Sequence, residues 1–181
     1  VILFGSGSKV LGTNIGFVGC NDLKVIEYFR YYSPPYMFSN VVAPPQCAAA
    51  LHNLRIVRSV RGLELRKKVM ENSLYLRENL KKRGYEFLGN PSPIVIVVIG
   101  DELKCRIVTR LMLNKGVILN GIEFPVVPKG KARLRLQLQA NHTKEHLNTF
   151  LDKLDESVKE AEQLLSNLGS FLEKYEVKPK L

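Results

Sequence analysis

A lysine lies in a loop of small residues near the start of the chain, in the stretch GSGSKVLGTNIG over residues 5–16. A lysine amine can form a Schiff base when its surroundings lower its pKa, and glycine N–H groups with serine hydroxyls can cradle a phosphate. The order GxxxxGK[ST] of a Walker loop is absent, and strand-like residues 17–20 follow where a dinucleotide-binding turn would open a helix. Lys9 is therefore a candidate for covalent chemistry, although the loop taken alone favours a surface lysine in a turn.

A second set of polar residues lies in the last third of the chain. Leucine alternates with polar residues over residues 133–138, so one face of a predicted strand is apolar and the other carries Arg133, Arg135 and Gln137. A guanidinium group is planar, always charged and bidentate toward a carboxylate. The polar face therefore presents two permanently charged side chains and a glutamine.

Two histidines follow this strand. His142 and His146 have the i, i+4 spacing of a helical zinc pair, but no third ligand is evident. Capping of a helix around Thr143 explains them better, and we expect no metal site.

The elements that must position these residues alternate between strands and helices, which is typical of an α/β or α+β fold. The predicted strands are residues 1–4, 17–20, 85–88, 94–99, 117–119 and 133–138, and the predicted helices are residues 22–32, 45–60, 63–83 and one beginning at Asp101 with Leu103, Ile107 and Leu111 on one face. Residues 33–45 are expected to form a connector, because Pro34 and Pro35 stop the preceding helix. Gly84 is expected to cap the helix before it, and a domain boundary is predicted near Gly62.

The last predicted helix has apolar residues at alternating spacings of three and four, a heptad seam. The seam comprises Leu147, Leu151, Leu154, Val158, Ala161, Leu165, Leu168 and Leu172. A helix docked on its own domain and a helix paired with a second helix, as in a dimer, both fit the pattern. We expect docking for the first half, and the second half remains open to either interpretation.

Composition restricts the class of protein. The chain has 181 residues, of which 45% are hydrophobic and 24% charged, as in ordinary globular proteins. The longest apolar run, residues 94–99, is too short to cross a bilayer, and the start of the chain lacks the basic leader of a signal peptide. The net charge of +10 permits an anionic partner, but the basic clusters at residues 66–68 and 81–83 contain no aromatics. We therefore expect solvated helix faces and no nucleic acid.

The three cysteines are odd in number and widely spaced. Cys20, Cys47 and Cys105 form no CxxC pair. This usage predicts buried thiols in a reducing compartment, and hence a cytoplasmic protein.

Three segments in collinear order resemble the α-oxoamine synthases, a family of pyridoxal-phosphate-dependent enzymes. SGSKVLG (residues 6–12) resembles the segment of the cofactor lysine, and YMFSNVVAPPQCAAAL (residues 36–51) resembles the aromatic, hydroxyl and alanine-rich stretch that follows. FPVVPKGKARLRLQLQANHT (residues 124–143) resembles the C-terminal signature, and the similarity covers about residues 1–155. The resemblance implies a fold-type I pyridoxal-phosphate transferase of the α/β class, of which this chain is the C-terminal part. Residues 1–61 would be the end of the large cofactor-binding domain, and residues 62–181 a small α+β domain.

The resemblance also implies roles for individual residues. Lys9 would form the Schiff base with pyridoxal phosphate and then act as the base at the substrate α-carbon, while the cofactor supplies the electron sink. Ser6 matches a residue that binds the cofactor phosphate. Ser39, with Asn40 beside it, matches a hydroxyl residue that reaches a phosphate across a dimer interface. Arg135 matches the arginine that binds the substrate carboxylate, whereas Arg133 would be structural support.

The implied reaction condenses an amino acid, glycine foremost, with an acyl-coenzyme A in a homodimer. The FSN and FPVVPKGKAR segments resemble 2-amino-3-ketobutyrate coenzyme A ligase most. Alternatives are an enzyme like serine palmitoyltransferase or 8-amino-7-oxononanoate synthase, and a non-catalytic assembly module that pairs through residues 147–172. A sphingolipid-synthesising enzyme could be membrane-associated, and a mitochondrial location is a further alternative to the cytoplasm.

The chain departs from the family pattern in three respects. Ile15 stands where a glycine is usual, and Asn141 stands where small residues are commoner. The family's aspartate that faces the pyridine nitrogen, and the aromatic stacked on the ring, belong to the half of the family pattern that lies upstream of Val1. We therefore expect the chain by itself to bind the cofactor weakly and to be inactive.

Overall fold

The computed structural model describes residues 1–174, which form two compact units. Unit 1 comprises Val1–Glu64, and unit 2 begins at Leu65. The division falls inside a long helix, α4 (Val60–Lys82), which also contains the predicted boundary residue Gly62.

Unit 1 opens with a hairpin that holds the lysine loop. Strands β1 (Ile2–Ser6) and β2 (Gly16–Cys20) pair antiparallel, and the pair Ser6↔Gly16 joins the two ends of the loop. Helices α1 (Leu23–Tyr32), α2 (Pro34–Phe38) and α3 (Pro44–Arg58) follow. The prediction of an irregular connector over residues 33–45 was wrong in its first part, because proline is tolerated in the first turn of a helix and here begins α2.

Unit 1 buries little apolar surface. Among its described residues, Ala50 is the apolar side chain that is less than a tenth exposed. Large apolar side chains on α1 and α2 face outward, with Tyr31 72% and Phe38 86% exposed. Large apolar side chains exposed in this number are typical of an interaction site.

Unit 2 is built on a four-stranded antiparallel sheet. Its strands are β3 (Phe87–Leu88), β4 (Ile94–Gly100), β5 (Asn120–Ile122) and β6 (Ala132–Gln137), in the order β3-β4-β6-β5. Strand β6 is central, and Leu134 and Leu136 point into the core as their alternation predicted.

Two strand predictions in unit 2 need correction. The strand predicted at residues 117–119 was wrong: Val117 and Leu119 pack partly buried on the core, and backbone pairing starts only at Asn120, opposite Arg135. The strand predicted at residues 85–88 is reduced to β3, because the Tyr85 N–H bonds to the Leu80 carbonyl at 3.0 Å and closes the end of α4. Gly84, at φ 79°, caps that helix as predicted.

Three helices share one core with the apolar face of this sheet: α4, α5 (Glu102–Asn114) and α6 (Lys144–Lys174). The predicted face of α5 was wrong in part, since Leu103 is 45% exposed. Cys105, Val108 and Met112 form the buried face instead. Apolar residues occupy much of the circumference of α5. Their spacing alone therefore did not distinguish the buried face from the neighbouring, partly exposed one.

The first half of α6 is docked on unit 2, as predicted. Leu147, Leu151 and Leu154 are almost fully buried, and Ala161 is completely buried. Ion pairs flank this seam: Arg83 with Asp152 and Asp155, Lys104 with Glu162, and Lys115 with Glu156 and Glu160. Farther along, Leu168 is 46% exposed, and the side chain of Leu172 lies outside the described residues.

The basic residues 66–68, 81 and 82 lie on α4, as predicted, whereas Arg83 directly follows the helix and pairs with Asp152 and Asp155. Lys67 and Lys82 form i, i+4 ion pairs with Glu71 and Glu78 and remain largely exposed. No helix within residues 1–174 combines the length and apolar character needed to span a bilayer.

Candidate functional site

Lys9 lies at the apex of a closed loop between β1 and β2. The Gly7 N–H bonds to the Ile15 carbonyl at 2.7 Å, and the Thr13 N–H bonds to the Gly7 carbonyl at 3.0 Å. At the apex, the Gly12 N–H bonds to the Lys9 carbonyl at 3.1 Å. The Lys9 side chain is exposed, and no acidic residue of the described chain pairs with it. The loop therefore presents a free amine on a fixed backbone.

Close packing at Gly7 holds this loop shut. A Cβ at position 7 would lie 2.5 Å from Cγ1 of Ile15 and 2.9 Å from Oγ1 of Thr13, so a larger residue would push the loop open. Ile15, one of the departures from the family pattern, covers this glycine. The substitution of isoleucine for glycine is therefore compatible with a closed loop.

Two serine hydroxyls lie in the same loop as the lysine. The Ser6 and Ser8 hydroxyls are 2.9 Å apart, and the Ser8 N–H donates to the Ser6 hydroxyl at 3.3 Å. The first acidic residue of the chain is Asp22, so the loop carries no negative charge of its own. An amine near serine hydroxyls fits a cofactor that has both an aldehyde and a phosphate.

Ser39 and Asn40 lie apart from this loop in sequence, just after α2. The Ser39 hydroxyl donates to the Pro35 carbonyl at the end of that helix, and both residues are exposed. Within residues 1–174, neither of them forms a hydrogen bond with the Lys9 loop. Their phosphate role across a dimer interface stays a prediction.

Arg135 lies on β6, an inner strand of the sheet in unit 2, opposite Ile96 of β4 and Asn120 of β5. Its side chain is half-buried, and within the described part of the chain no carboxylate pairs with it. Arg133 differs, since its Nε donates to the Lys131 carbonyl at 3.0 Å. Arg135 is therefore the arginine of this strand that is available for an anionic ligand.

Arg135 lines a cleft of about 660 Å³ in unit 2. The polar walls include Gln137, His142, His146 and Lys153, and none of the described lining residues is acidic. Lys153 also donates from Nζ to the Lys115 carbonyl at 2.6 Å, which fixes it at the end of α5. The cleft is therefore electrostatically suited to an anion.

The two histidines of this cleft make backbone hydrogen bonds. His146 Nδ1 accepts from the Thr143 N–H, and Thr143 Oγ1 accepts from the His146 N–H, both at 3.3 Å. This reciprocal pair is a capping box at the start of α6, and it confirms the predicted cap. His142 Nδ1 accepts from the Gln139 N–H at 3.3 Å. Among residues 1–174, no three metal-type ligands cluster.

The cysteines match their prediction in part. All three are free thiols, but Cys47 is exposed and Cys20 half-buried, so the expectation of buried thiols was wrong for these two. Burial raises the pKa of the Cys105 thiol. Cys105 is thus a core residue.

Sequence reasoning missed two residues beside the candidate sites. Lys153 lines the cleft, and Asn53 of α3 donates from Nδ2 to the Leu11 carbonyl in the Lys9 loop at 2.9 Å. The one available signal for Asn53 was a polar residue within an alanine- and leucine-rich helix. No pattern indicated its partner, which lies 42 residues away.

Comparison with known proteins decides the family. The family described as aminotransferase class I and II matches residues 1–154, which include both the Lys9 loop and Arg135. The chain belongs to this family.

Similar curated proteins are α-oxoamine synthases, as the resemblance predicted. The chain is 34% identical to the 8-amino-7-oxononanoate synthase of Petrotoga mobilis, over 85% of this chain and 38% of that protein. It is 34% identical to the 2-amino-3-ketobutyrate coenzyme A ligase of Salmonella typhimurium, over 83% of this chain and 37% of that one. The chain thus spans well under half the length of these relatives, and the comparison does not single out the ligase.

Solved structures confirm the predicted fold. The serine palmitoyltransferase of Sphingomonas wittichii superposes with a TM-score of 0.80 at 26% identity, over 88% of this chain and 40% of that one. A high-resolution SPT structure with a PLP internal aldimine gives a TM-score of 0.81 at 27% identity, with the same coverage. The chain is a mixed α/β fold that matches the C-terminal part of fold-type I pyridoxal-phosphate enzymes.

Proposed function

We propose that the complete protein is a pyridoxal-phosphate-dependent acyltransferase that condenses an amino acid, glycine foremost, with an acyl-coenzyme A. One observation carries this proposal: Lys9 presents an exposed amine, with no acidic partner in the described part of the chain, on a closed loop that carries the Ser6 and Ser8 hydroxyls. Membership of a family whose solved relatives include a PLP-bound structure supports it.

Two residues of the loop would hold the cofactor. Lys9 would hold it covalently through its amine, and the Ser6 hydroxyl would donate to its phosphate. When bound, pyridoxal phosphate supplies an electron sink for charge that develops at the substrate α-carbon. The Lys9 amine, once displaced by the substrate amine, would take the proton from that carbon.

Arg135 would fix the substrate by its carboxylate. The guanidinium can donate two parallel hydrogen bonds to a carboxylate, and the cleft walls add positive charge without a competing acid. A carboxylate held by two hydrogen bonds leaves the amino acid less freedom to rotate.

A homodimer would complete the site. The exposed apolar side chains of unit 1, such as Tyr31 and Phe38, support a large interface. Ser39 and Asn40 would then serve the site of the partner subunit. In this assignment unit 1 is the end of the large domain, unit 2 is the small domain, and the protein is cytoplasmic.

The acyl donor separates this proposal from its alternatives within the family. A ligase-like enzyme would accept acetyl-coenzyme A, whereas enzymes like serine palmitoyltransferase or 8-amino-7-oxononanoate synthase would need longer acyl groups. A panel of acyl-coenzyme A thioesters, with release of free coenzyme A as the readout, would distinguish them. A non-catalytic module pairing through residues 147–172 would release none.

Borohydride reduction of the complete protein with pyridoxal phosphate tests the central assignment. Reduction should fix the cofactor on Lys9, as read by peptide mass spectrometry, and Lys9→Ala should abolish both the label and coenzyme A release. Lys24→Ala is the matched control, because Lys24 is an exposed lysine in the same unit. Labelling confined to another lysine, or equal loss in both variants, would remove Lys9 from the mechanism.

A further inference from the structure

The apex of the Lys9 loop is a four-residue turn. The Gly12 N–H bonds to the Lys9 carbonyl at 3.1 Å, so Lys9 and Gly12 are its first and last residues. Val10 and Leu11 are the central residues. The carbonyls of central turn residues have no partner within the turn itself, so any bond that holds them must come from elsewhere.

A helix side chain supplies such a bond. Asn53, on α3, donates from Nδ2 to the Leu11 carbonyl at 2.9 Å, and this contact is partly buried. The bond links the centre of the turn to a helix 42 residues farther along the chain. It therefore fixes the turn against α3 and not merely against the hairpin.

The Thr13 side chain of the loop does not replace this link. The Thr13 side chain is buried, but its Oγ1 has no hydrogen-bond partner in the described structure. The remaining loop bonds at Gly7 and Gly12 connect the loop only to itself. The hairpin bonds close the loop, whereas Asn53 holds its apex to α3.

We propose that Asn53 is a positioning residue that holds the turn bearing Lys9 against α3, and so sets the direction in which the Lys9 amine points. This rests on the proposed cofactor role of Lys9. Because Asn53 acts through Leu11, it would touch neither cofactor nor substrate. Its loss should leave the amine present but let the turn sample more orientations.

Hydrogen exchange of the cofactor-free complete protein tests the tether itself. Asn53→Asp keeps the side-chain shape but cannot donate to a carbonyl, and Asn53→Leu removes polarity altogether. Either change should speed exchange of the Gly12 amide about fivefold, as expected when one hydrogen bond is lost. The control His52→Ala, at the exposed neighbouring position of α3, should leave that rate unchanged.

Labelling of Lys9 by pyridoxal phosphate then tests whether Asn53 positions the Lys9 amine. With the thermal midpoint unchanged, both Asn53 variants should need about three- to tenfold more pyridoxal phosphate for half-maximal borohydride-fixed labelling of Lys9. His52→Ala should match the wild type. A residue with only a structural role would lower the thermal midpoint and leave this concentration unchanged.

The outcomes are distinguishable. Unchanged exchange at Gly12 in both Asn53 variants would disprove the tether, and faster exchange with unchanged labelling of Lys9 would disprove positioning. Wild-type protein that is not labelled at Lys9 would overturn the proposed function and, with it, the role assigned to Asn53, even where exchange still reveals the hydrogen bond.

Discussion

At the scale of single residues, the two arginines of β6 differ in their local contacts. Arg133 donates to the Lys131 carbonyl, whereas Arg135, two positions along, lines the cleft without an acidic partner in the described chain. The carboxylate role predicted for Arg135 is therefore open to a direct test against its neighbour.

Replacing Arg135 by lysine should weaken binding of the amino acid. Lysine keeps the charge but loses the planar, two-bond geometry, so half-saturation by glycine should rise about ten- to a hundredfold. The measurement is the glycine dependence of coenzyme A release by the complete enzyme. Arg133→Lys is the matched control and should change it less than about threefold. Equal effects of the two changes would argue against a specific carboxylate site.

Residue types alone did not predict these roles. The cofactor and substrate roles of Lys9, Ser6 and Arg135 were predicted through collinear resemblance, because a lysine in a glycine-rich loop is by itself more often a surface residue. Asn53 was missed because a hydrogen bond to a distant backbone carbonyl leaves no pattern in sequence. The capping pair of Thr143 and His146 was predictable, since both partners are local.

At the scale of elements, a cluster of polar side chains joins α6 to the residues that directly follow α4. The Tyr85 hydroxyl donates to Asp155 Oδ1 at 2.8 Å, and the same carboxylate pairs with Arg83. Burial raises the pKa of Tyr85, and the hydrogen bond to Asp155 and its negative charge raise it further. The folded state therefore favours the neutral, protonated form of the Tyr85 side chain.

This cluster predicts a loss of stability at high pH. The raised pKa belongs to the folded state, so the contribution of Tyr85 is fully present below the ordinary tyrosine pKa of about 10 and is lost as pH rises above it. Because the group is only half-buried, the slope should stay below about 1 kcal/mol per pH unit. Urea unfolding of the chain at pH 8 to 11 would measure it.

Tyr85→Phe supplies the control for that measurement. It should cost about 1 kcal/mol at pH 8 through the lost hydrogen bond, and should flatten the pH dependence above pH 10. Tyr31→Phe, at an exposed position of α1, should change neither quantity. A pH slope that is identical in Tyr85→Phe and the wild type would contradict the assignment.

At the scale of the whole molecule, the two units differ in how far the sequence predicts their structure. In unit 2, the run of β-branched residues, the alternation over residues 133–138 and the heptad seam correctly predicted β4, β6 and the docked half of α6. The side chains that pack on these elements belong to the same unit. Strand β5 was misplaced because three residues of backbone pairing carry almost no pattern. In unit 1 the helices and strands were largely predicted, but the exposure of their apolar side chains was not. A sequence pattern shows that a face is apolar, but it does not show whether the surface that packs against that face belongs to the same chain.

The same difference predicts which part of the chain folds alone. A polypeptide of residues 60–174 retains all of α4 and the core, so it should unfold cooperatively in urea with a free energy of unfolding of about 5 to 10 kcal/mol. Residues 1–59 should show no cooperative transition, because among their described side chains Ala50 is the buried apolar one. Far-UV circular dichroism would follow both transitions.

Two leucines of α6, one buried and one exposed, allow the packing of the helix to be compared within the longer polypeptide. Leu151→Ala, at a fully buried position, should lower the free energy of unfolding by about 2 to 5 kcal/mol, since it leaves a cavity in the core. Leu164→Ala, at a position 48% exposed on the same helix, should lower it by less than about 0.5 kcal/mol. Equal losses for the two leucines would mean that the distal half of α6 is packed like the first half. For the shorter polypeptide, a cooperative transition in residues 1–59 would show that unit 1 is stable without a partner packed on its exposed apolar side chains.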